Sequence, residues 1–299
     1  MTRSFAIRRR LCHLTAATMV VIGLAGTADA ADEASLDVDA LAALQRRPRA
    51  EVTLGIWFPR LEGQITLGEG GTELDAGDDL ALDDSDTIFN GEFQVEWDRW
   101  QVLVGGYVVN TGGDTVLTRG AIVRGSLVPA GTAVSSRVKA WSIDAEASWA
   151  IFTPFRDRRF PWSVPSASDP AAIDLVLQVV GGVRVVNLDQ RYDFETLAPV
   201  ESDRAWFIPW AGVGCEIDWS TRHSLGILDR MVFDLTAGWG PAISGGNSSF
   251  TVRADLTTYL TRNVGITLGY RLNDWDLARD DDTFDGGLQG LYAGIRLAW

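Results

Sequence analysis

Apolar and polar residues alternate with period two along most of the chain. Val52, Leu54, Ile56 and Phe58 are interleaved with Thr53, Gly55 and Trp57, and Phe89, Gly91, Phe93, Val95 and Trp97 with Asn90, Glu92, Gln94 and Glu96. Trp141, Ile143, Ala145, Ala147, Trp149 and Ile151 stand against Ser142, Asp144, Glu146 and Ser148. Successive side chains of a strand point to opposite faces, so each run predicts a strand with one apolar and one polar face. Ten such segments are legible, near 50–58, 87–97, 100–110, 137–151, 173–187, 205–218, 230–240, 249–260, 263–273 and 287–299. Each is about ten residues or longer, the length a tilted strand needs to cross a bilayer, whereas strands of soluble sheets run to about 5–6 residues.

A strand in hydrocarbon has no water to satisfy its backbone, and only a closed sheet pairs every N–H and C=O. The pattern therefore predicts an all-β chain forming a closed antiparallel transmembrane β-barrel of about ten strands, with eight or twelve also compatible. Asp98-Arg99 and Thr261-Arg262 read as tight turns, and 59–86, 111–136, 188–204 and 274–286 as long polar loops rich in Gly and Asp. Long links alternating with short ones are the signature of outer loops and periplasmic turns. Segment 152–172 falls where a short turn belongs and is too long for one, so it is either a plug or a sign of a different strand count. The Asp-rich run Asp75–Asp86 lacks the spacing and terminal Glu of an EF-hand and reads as a solvated outer loop.

The N-terminus has a different grammar. Arg3, Arg8, Arg9 and Arg10 precede the apolar stretch Leu11–Gly26, and Ala28-Asp29-Ala30 follows as a small-x-small cleavage site, the arrangement of a secretory signal. The expected organisation is a signal peptide at 1–30, a periplasmic lead-in at 31–49 and the barrel at 50–299.

Charge and composition narrow the chemistry. The formal charge is −14, which excludes a general nucleic-acid binder. Beyond residue 30 only one cysteine, Cys215, and one histidine, His223, remain. This leaves little material for a nucleophile–histidine or metal site, so no enzyme activity, cofactor, metal or catalytic residue is expected. The phase of the strands instead turns a set of charges inward: Glu92, Glu96, Asp144, Glu146, Asp174, Glu216, Asp218, Asp234 and Asp255, with Arg184, Arg253, Arg271 and Arg296. Unpaired buried charge is costly, so these should pair or be wetted. The network either holds the interior together or lines a narrow, cation-preferring path. Ten strands enclose too little space for a wide pore.

The last strand carries the pattern to the end of the chain. Leu291, Ala293, Ile295, Leu297 and Trp299 share one face, and Gly290, Tyr292, Gly294, Arg296 and Ala298 the other. A terminal aromatic in phase with an apolar face resembles the signal read by the outer-membrane assembly machinery. Trp97, Trp100, Trp149, Trp219 and Trp239 lie near strand ends, as aromatic residues do at a lipid–water boundary. Through 79–86, Gly269–Leu272 and Gly290–Trp299 the chain resembles a broad set of uncharacterised bacterial outer-membrane β-barrel proteins. That resemblance implies a bacterial outer-membrane location, with outer-membrane lipid and the assembly machinery, reached through the strand ending in Trp299, as partners. It names no solute and leaves the oligomeric state open. Two other readings stand beside it: a secreted soluble β-sandwich that binds a glycan or surface ligand, and an outer-membrane barrel enzyme. Arginine at Leu268 or Leu256 is expected to block assembly, and arginine at Thr267 to be tolerated.

Overall fold

The computed structural model describes residues 49–83, 87–154, 173–220, 228–243, 248–279 and 281–299. The expected signal peptide and nearly all of the lead-in, most of segment 152–172 and His223 lie outside the described residues.

Thirteen strands are present among the described residues: β1 (Arg49–Thr66), β2 (Leu74–Asp75), β3 (Ile88–Trp97), β4 (Trp100–Val116), β5 (Ala121–Val123), β6 (Ser126–Val128), β7 (Ala133–Phe152), β8 (Ile173–Phe194), β9 (Val200–Ser220), β10 (Arg230–Pro241), β11 (Ser248–Tyr259), β12 (Val264–Arg279) and β13 (Asp282–Ala298). Ten of them pair antiparallel with their sequence neighbours, and β13 pairs with β1 from Glu51↔Ala298 to Thr66↔Thr283, closing the barrel. The two-residue β2 is an annex on β1, and β5 and β6 form a separate hairpin. The closed sheet removes the β-sandwich reading. Each of the ten expected segments falls on one of the ten barrel strands, most of which run beyond it.

Both described termini lie at one end of the barrel, joined by a hydrogen bond from Ala50 N to Trp299 O of 3.1 Å. The tight turns lie at the same end. Trp97 pairs with Trp100 across Asp98-Arg99, where Asp98 takes a φ of 54° that a short polar side chain tolerates. At the β11–β12 turn, Thr261 Oγ1 accepts the backbone N–H groups of Asn263 and Val264.

On this half of the barrel the outward positions of the strands are apolar apart from Thr258 on β11. They include Val52, Leu54, Ile56 and Phe58 on β1, Leu177, Val179, Val183 and Val185 on β8, and Val264, Ile266, Leu268 and Tyr270 on β12. None of these belt positions is charged. Leu54, Leu268 and Leu291 are about three-fifths exposed, at 61%, 60% and 66%, an exposure that a bilayer accommodates and water would penalise. Trp97, Trp100, Trp149, Trp219 and Trp299 are exposed near the terminal end, and the rings of Trp100 and Trp149 stack at 6.2 Å. A closed sheet with such a band is an outer-membrane barrel.

Above the belt the strands continue, and parts of every link read as a polar loop prove to be strand. β1 runs to Thr66, β4 to Val116, β8 to Phe194 and β12 to Arg279. Here the two faces exchange chemistry. On β8 the outward residues become Asn187, Asp189, Arg191 and Asp193, while Val186, Leu188, Tyr192 and Phe194 turn inward. β1 does the same, with Arg60, Glu62 and Gln64 outside and Trp57, Leu61 and Ile65 inside. The Asp-rich loop is also not wholly solvated. Leu74, Ala76, Leu80 and Leu82 are fully buried beneath its turns. Asp75 Oδ1 accepts the N–H groups of Gly77 and Asp78, Asp79 pairs with Arg119 at 3.1 Å, and Leu82 O accepts the Thr111 hydroxyl at 3.0 Å. The barrel is therefore a membrane section carrying a β-head with its own apolar core.

Candidate functional site

The interior of the membrane section is where charge collects. Its central tier holds three arginine clusters. Arg271 on β12 reaches Glu92 on β3 at 2.5 Å and Asp255 on β11 at 3.4 Å, and its guanidinium lies 3.7 Å from the centre of the Tyr292 ring. Arg253 on β11 crosses the barrel to Glu146 on β7 at 2.8 Å and stands 4.0 Å from Asp234 on β10. Arg184 on β8 pairs with Asp144 on β7 and lies 3.4 Å from Thr251 Oγ1, whose hydroxyl donates to Asn273 Oδ1 at 2.9 Å. These groups sit inward because their strands hold lipid-facing residues at the alternate positions, so parity alone fixes their direction.

The bulk of these side chains needs room in a ten-strand wall. A Cβ at Gly55 or Gly294 would overlap the Tyr292 ring, and one at Gly269 would collide with the Asp255 carboxylate. The glycines on the inner face are thus the complement of the large residues beside them.

A second tier lies towards the terminal end and centres on Glu51. Its carboxylate pairs with Arg49 at 2.6 Å, Arg296 at 3.6 Å and Arg230 at 3.8 Å, and accepts the Tyr259 hydroxyl at 3.0 Å. Arg230 also pairs with Asp218 at 3.0 Å and lies 4.1 Å over the Tyr259 ring. The sequence reading missed Glu51, Arg49 and Arg230. The signal was present: Glu51 shares the phase of Thr53, and Arg230 that of Asp234.

All thirteen expected interior charges fall on inward positions. The structure gathers Glu92, Asp255 and Arg271; Glu146, Asp234 and Arg253; Asp144 and Arg184; and it carries Asp218 and Arg296 to the Glu51 tier. Glu96, Asp174 and Glu216 are the register partners of Arg49, Asp218 and Asp234, beside these clusters, and each has an interaction of its own. Thr267 is fully buried, and its Oγ1 is 2.9 Å from that of Thr257. There is no space for an arginine there, so the expectation that one would be tolerated is overturned.

Little free volume remains. A cavity of about 50 Å³ lies among Asn90, Glu92, Tyr107, Arg184, Trp210 and Arg271, room for a few waters at roughly 10–15 Å³ each. Among the described residues, Asn90 Oδ1, Trp210 Nε1 and Arg271 Nε have no hydrogen-bond partner. Directly above, Trp57, Leu61, Ile65, Trp275 and Leu288 fill the section at 0–1% exposure, and the loop leucines cover them. No group of three or more His, Cys, Asp or Glu residues is arranged to hold a metal among the described residues. Cys215 faces outward, half-buried in the lipid-facing wall.

No family model matches the chain, and no curated protein matches it. Among solved structures it is similar to the outer membrane protease OmpT of Escherichia coli, at 10% identity over 84% of this chain and 96% of that one, with a TM-score of 0.43. It is also similar to Ail, the attachment invasion locus protein of Yersinia pestis, at 12% identity over 84% and 99%, with a TM-score of 0.30. A third is the translocator domain of the autotransporter NalP from Neisseria meningitidis, at 11% identity over 87% and 92%, with a TM-score of 0.33. These likenesses concern barrel architecture alone and carry no residue role.

Proposed function

We propose that the protein is a closed, non-catalytic outer-membrane barrel: a structural anchor whose charged interior is cohesive and whose working surface is the β-head. Barrels of this class keep their short turns in the periplasm and their long connections outside, which puts the head at the cell surface. Trp299, in phase with the lipid face, supports delivery through the outer-membrane assembly machinery, and the exposed tryptophans at the terminal end support an aromatic boundary there.

One observation carries the reading. Among the described residues, the interior above the charged tiers is filled by buried side chains from the strands and from the loop after β1, which supports a closed lumen. The central arginines are each held by carboxylates, which supports cohesion over proton transfer or ion transport. The test is conductance of the purified protein in a planar bilayer, with the shift in gel mobility on boiling as the control for folding. A folded barrel that stays silent is the expected result. Steady cation-selective steps from the wild-type barrel would overturn the proposal in favour of a narrow cation path.

A further inference from the structure

A second concavity lies on the lipid side of the wall. β3 begins only at Ile88, while β4 and β7 continue upward, so the sheet steps down at β3. Below the step the outward position of β4 is Gly106, with no side chain between Val104 and Val108. The result is a groove of about 720 Å³ floored by Gly106 and Tyr107 and walled by Phe89, Val108, Trp141 and Ile143, with Asn110 at its upper end. Its volume is within the ~300–1,000 Å³ range of sites that hold small organic molecules. Phe89 is 81% exposed, the most open large apolar side chain of the belt.

The groove has a polarity gradient. It is apolar within the belt and meets the head at Asn110. Trp141 is followed up β7 by Lys139 and Arg137, both outward and exposed. At about 3.3 Å per residue they lie roughly 7 and 13 Å along β7 from Trp141. Asp189 is the register partner of Lys139, and Arg191 that of Arg137. Arg191 is occupied by Asp193 and Glu201, whereas no described residue forms an ion pair with Lys139 or Arg137. Lys139 is the only lysine in a chain of net charge −14, so two cations over an apolar groove, with no ion pair among the described residues, run against the general balance.

From this juxtaposition we infer that the groove is a docking site for a phosphate-bearing acylated lipid of the leaflet on the head side. The acyl chain lies along Phe89, Gly106 and Ile143, and the phosphate is received by Lys139 and Arg137. The wall between this chain and the interior cavity is only Gly106 and Tyr107, which line both. The site is independent of whether the barrel conducts.

The experiment is native mass spectrometry of the detergent-purified full-length barrel, delipidated and then offered dipalmitoyl phosphatidic acid or the chain-matched diacylglycerol. One phosphatidic acid is expected to stay bound per barrel, with a preference over diacylglycerol of about thirtyfold, given ~1 kcal/mol for each of the two cations near an anionic lipid. Arg137→Gln with Lys139→Gln should bring the two lipids to parity. Phe89→Ala should release both, while Val213→Ala, on the belt strand β9, should change neither. Equal retention of the two lipids by the wild type, an unchanged preference in the double variant, or the same loss from Val213→Ala as from Phe89→Ala would each reduce the groove to ordinary annular lipid. The boiling-dependent gel shift, run on every variant, separates a lost site from a lost fold.

Discussion

In the membrane section a strand such as β8 shows lipid valines and leucines outside and Gln178 and Arg184 inside; in the head the same strand shows Asp189 and Arg191 outside and Leu188, Tyr192 and Phe194 inside. The pleat is unbroken between them. What changes is the solvent on the outer face. In water, burial of apolar side chains drives packing, so the head is organised like the core of a soluble barrel. In lipid the outer face gains nothing by turning inward, because hydrocarbon is already apolar. The interior there is held by what hydrocarbon cannot supply, namely ion pairs and hydrogen bonds shared across strands far apart in sequence, such as Glu92 with Arg271 and Glu146 with Arg253.

The largest effect that separates the two halves is expected at Arg271. Arg271→Met strands Glu92 and Asp255 in the interior, and removing one partner of a buried pair costs about 3–5 kcal/mol. Urea titration of the barrel in lipid vesicles should show that loss, and Glu92→Met added to Arg271→Met should recover part of it, because a well-packed apolar pair can replace a buried ionic one. If Arg271→Met alone leaves the midpoint unchanged, the charged tier is not what holds the membrane section together.

The next effect reads the outer face. Leu268→Arg puts a charge in the belt, at a cost of about 2–4 kcal/mol near the midplane. Gln64→Arg puts the same charge on the same face of the sheet but in the head, where Arg60 and Glu62 already stand in water, and should cost close to nothing. Assembly yields in membranes, followed by the gel shift, check both. Equal yields would place the boundary of the belt elsewhere.

The same boundary explains what was legible in the sequence. The barrel and its ten strands were visible because each crosses lipid with an uninterrupted apolar face, and the parity of that face located the interior charges from Glu92 to Arg296. The head was not visible. Past Phe58, Val185 or Leu272 the apolar residues move to the other parity, so a reading that follows one apolar face stops there and takes Glu62, Asp189 or Asp274 for loop. The buried Leu74, Leu80 and Leu82 were masked by the aspartates around them, which build the turns that cover the core. Which carboxylate meets which arginine depends on registers across the barrel, and no local pattern carries that.

The smallest effect tests the head's outer face by pH. Asp274 lies just above the belt on β12, and Asp276 follows it on the same face, opposite Asp285 of β13. Partial burial, with the neighbouring Asp285 and Asp276 charges, raises the Asp274 carboxyl above its ordinary range. A raised carboxyl disfavours the ionised form in the folded head. Its contribution is therefore fully present at pH below the ordinary carboxylate range and is lost as pH rises through the raised value. The group is mostly exposed and water screens it, so the difference should be only about 0.5 kcal/mol. Asp274→Asn should match the wild type near pH 3 and exceed it slightly at pH 7 in the temperature at which the gel-shifted band converts. A variant less stable than wild type at pH 7 would mean that Asp274 is held by a favourable contact, and that the outer face of the head is not limited by its own acidity.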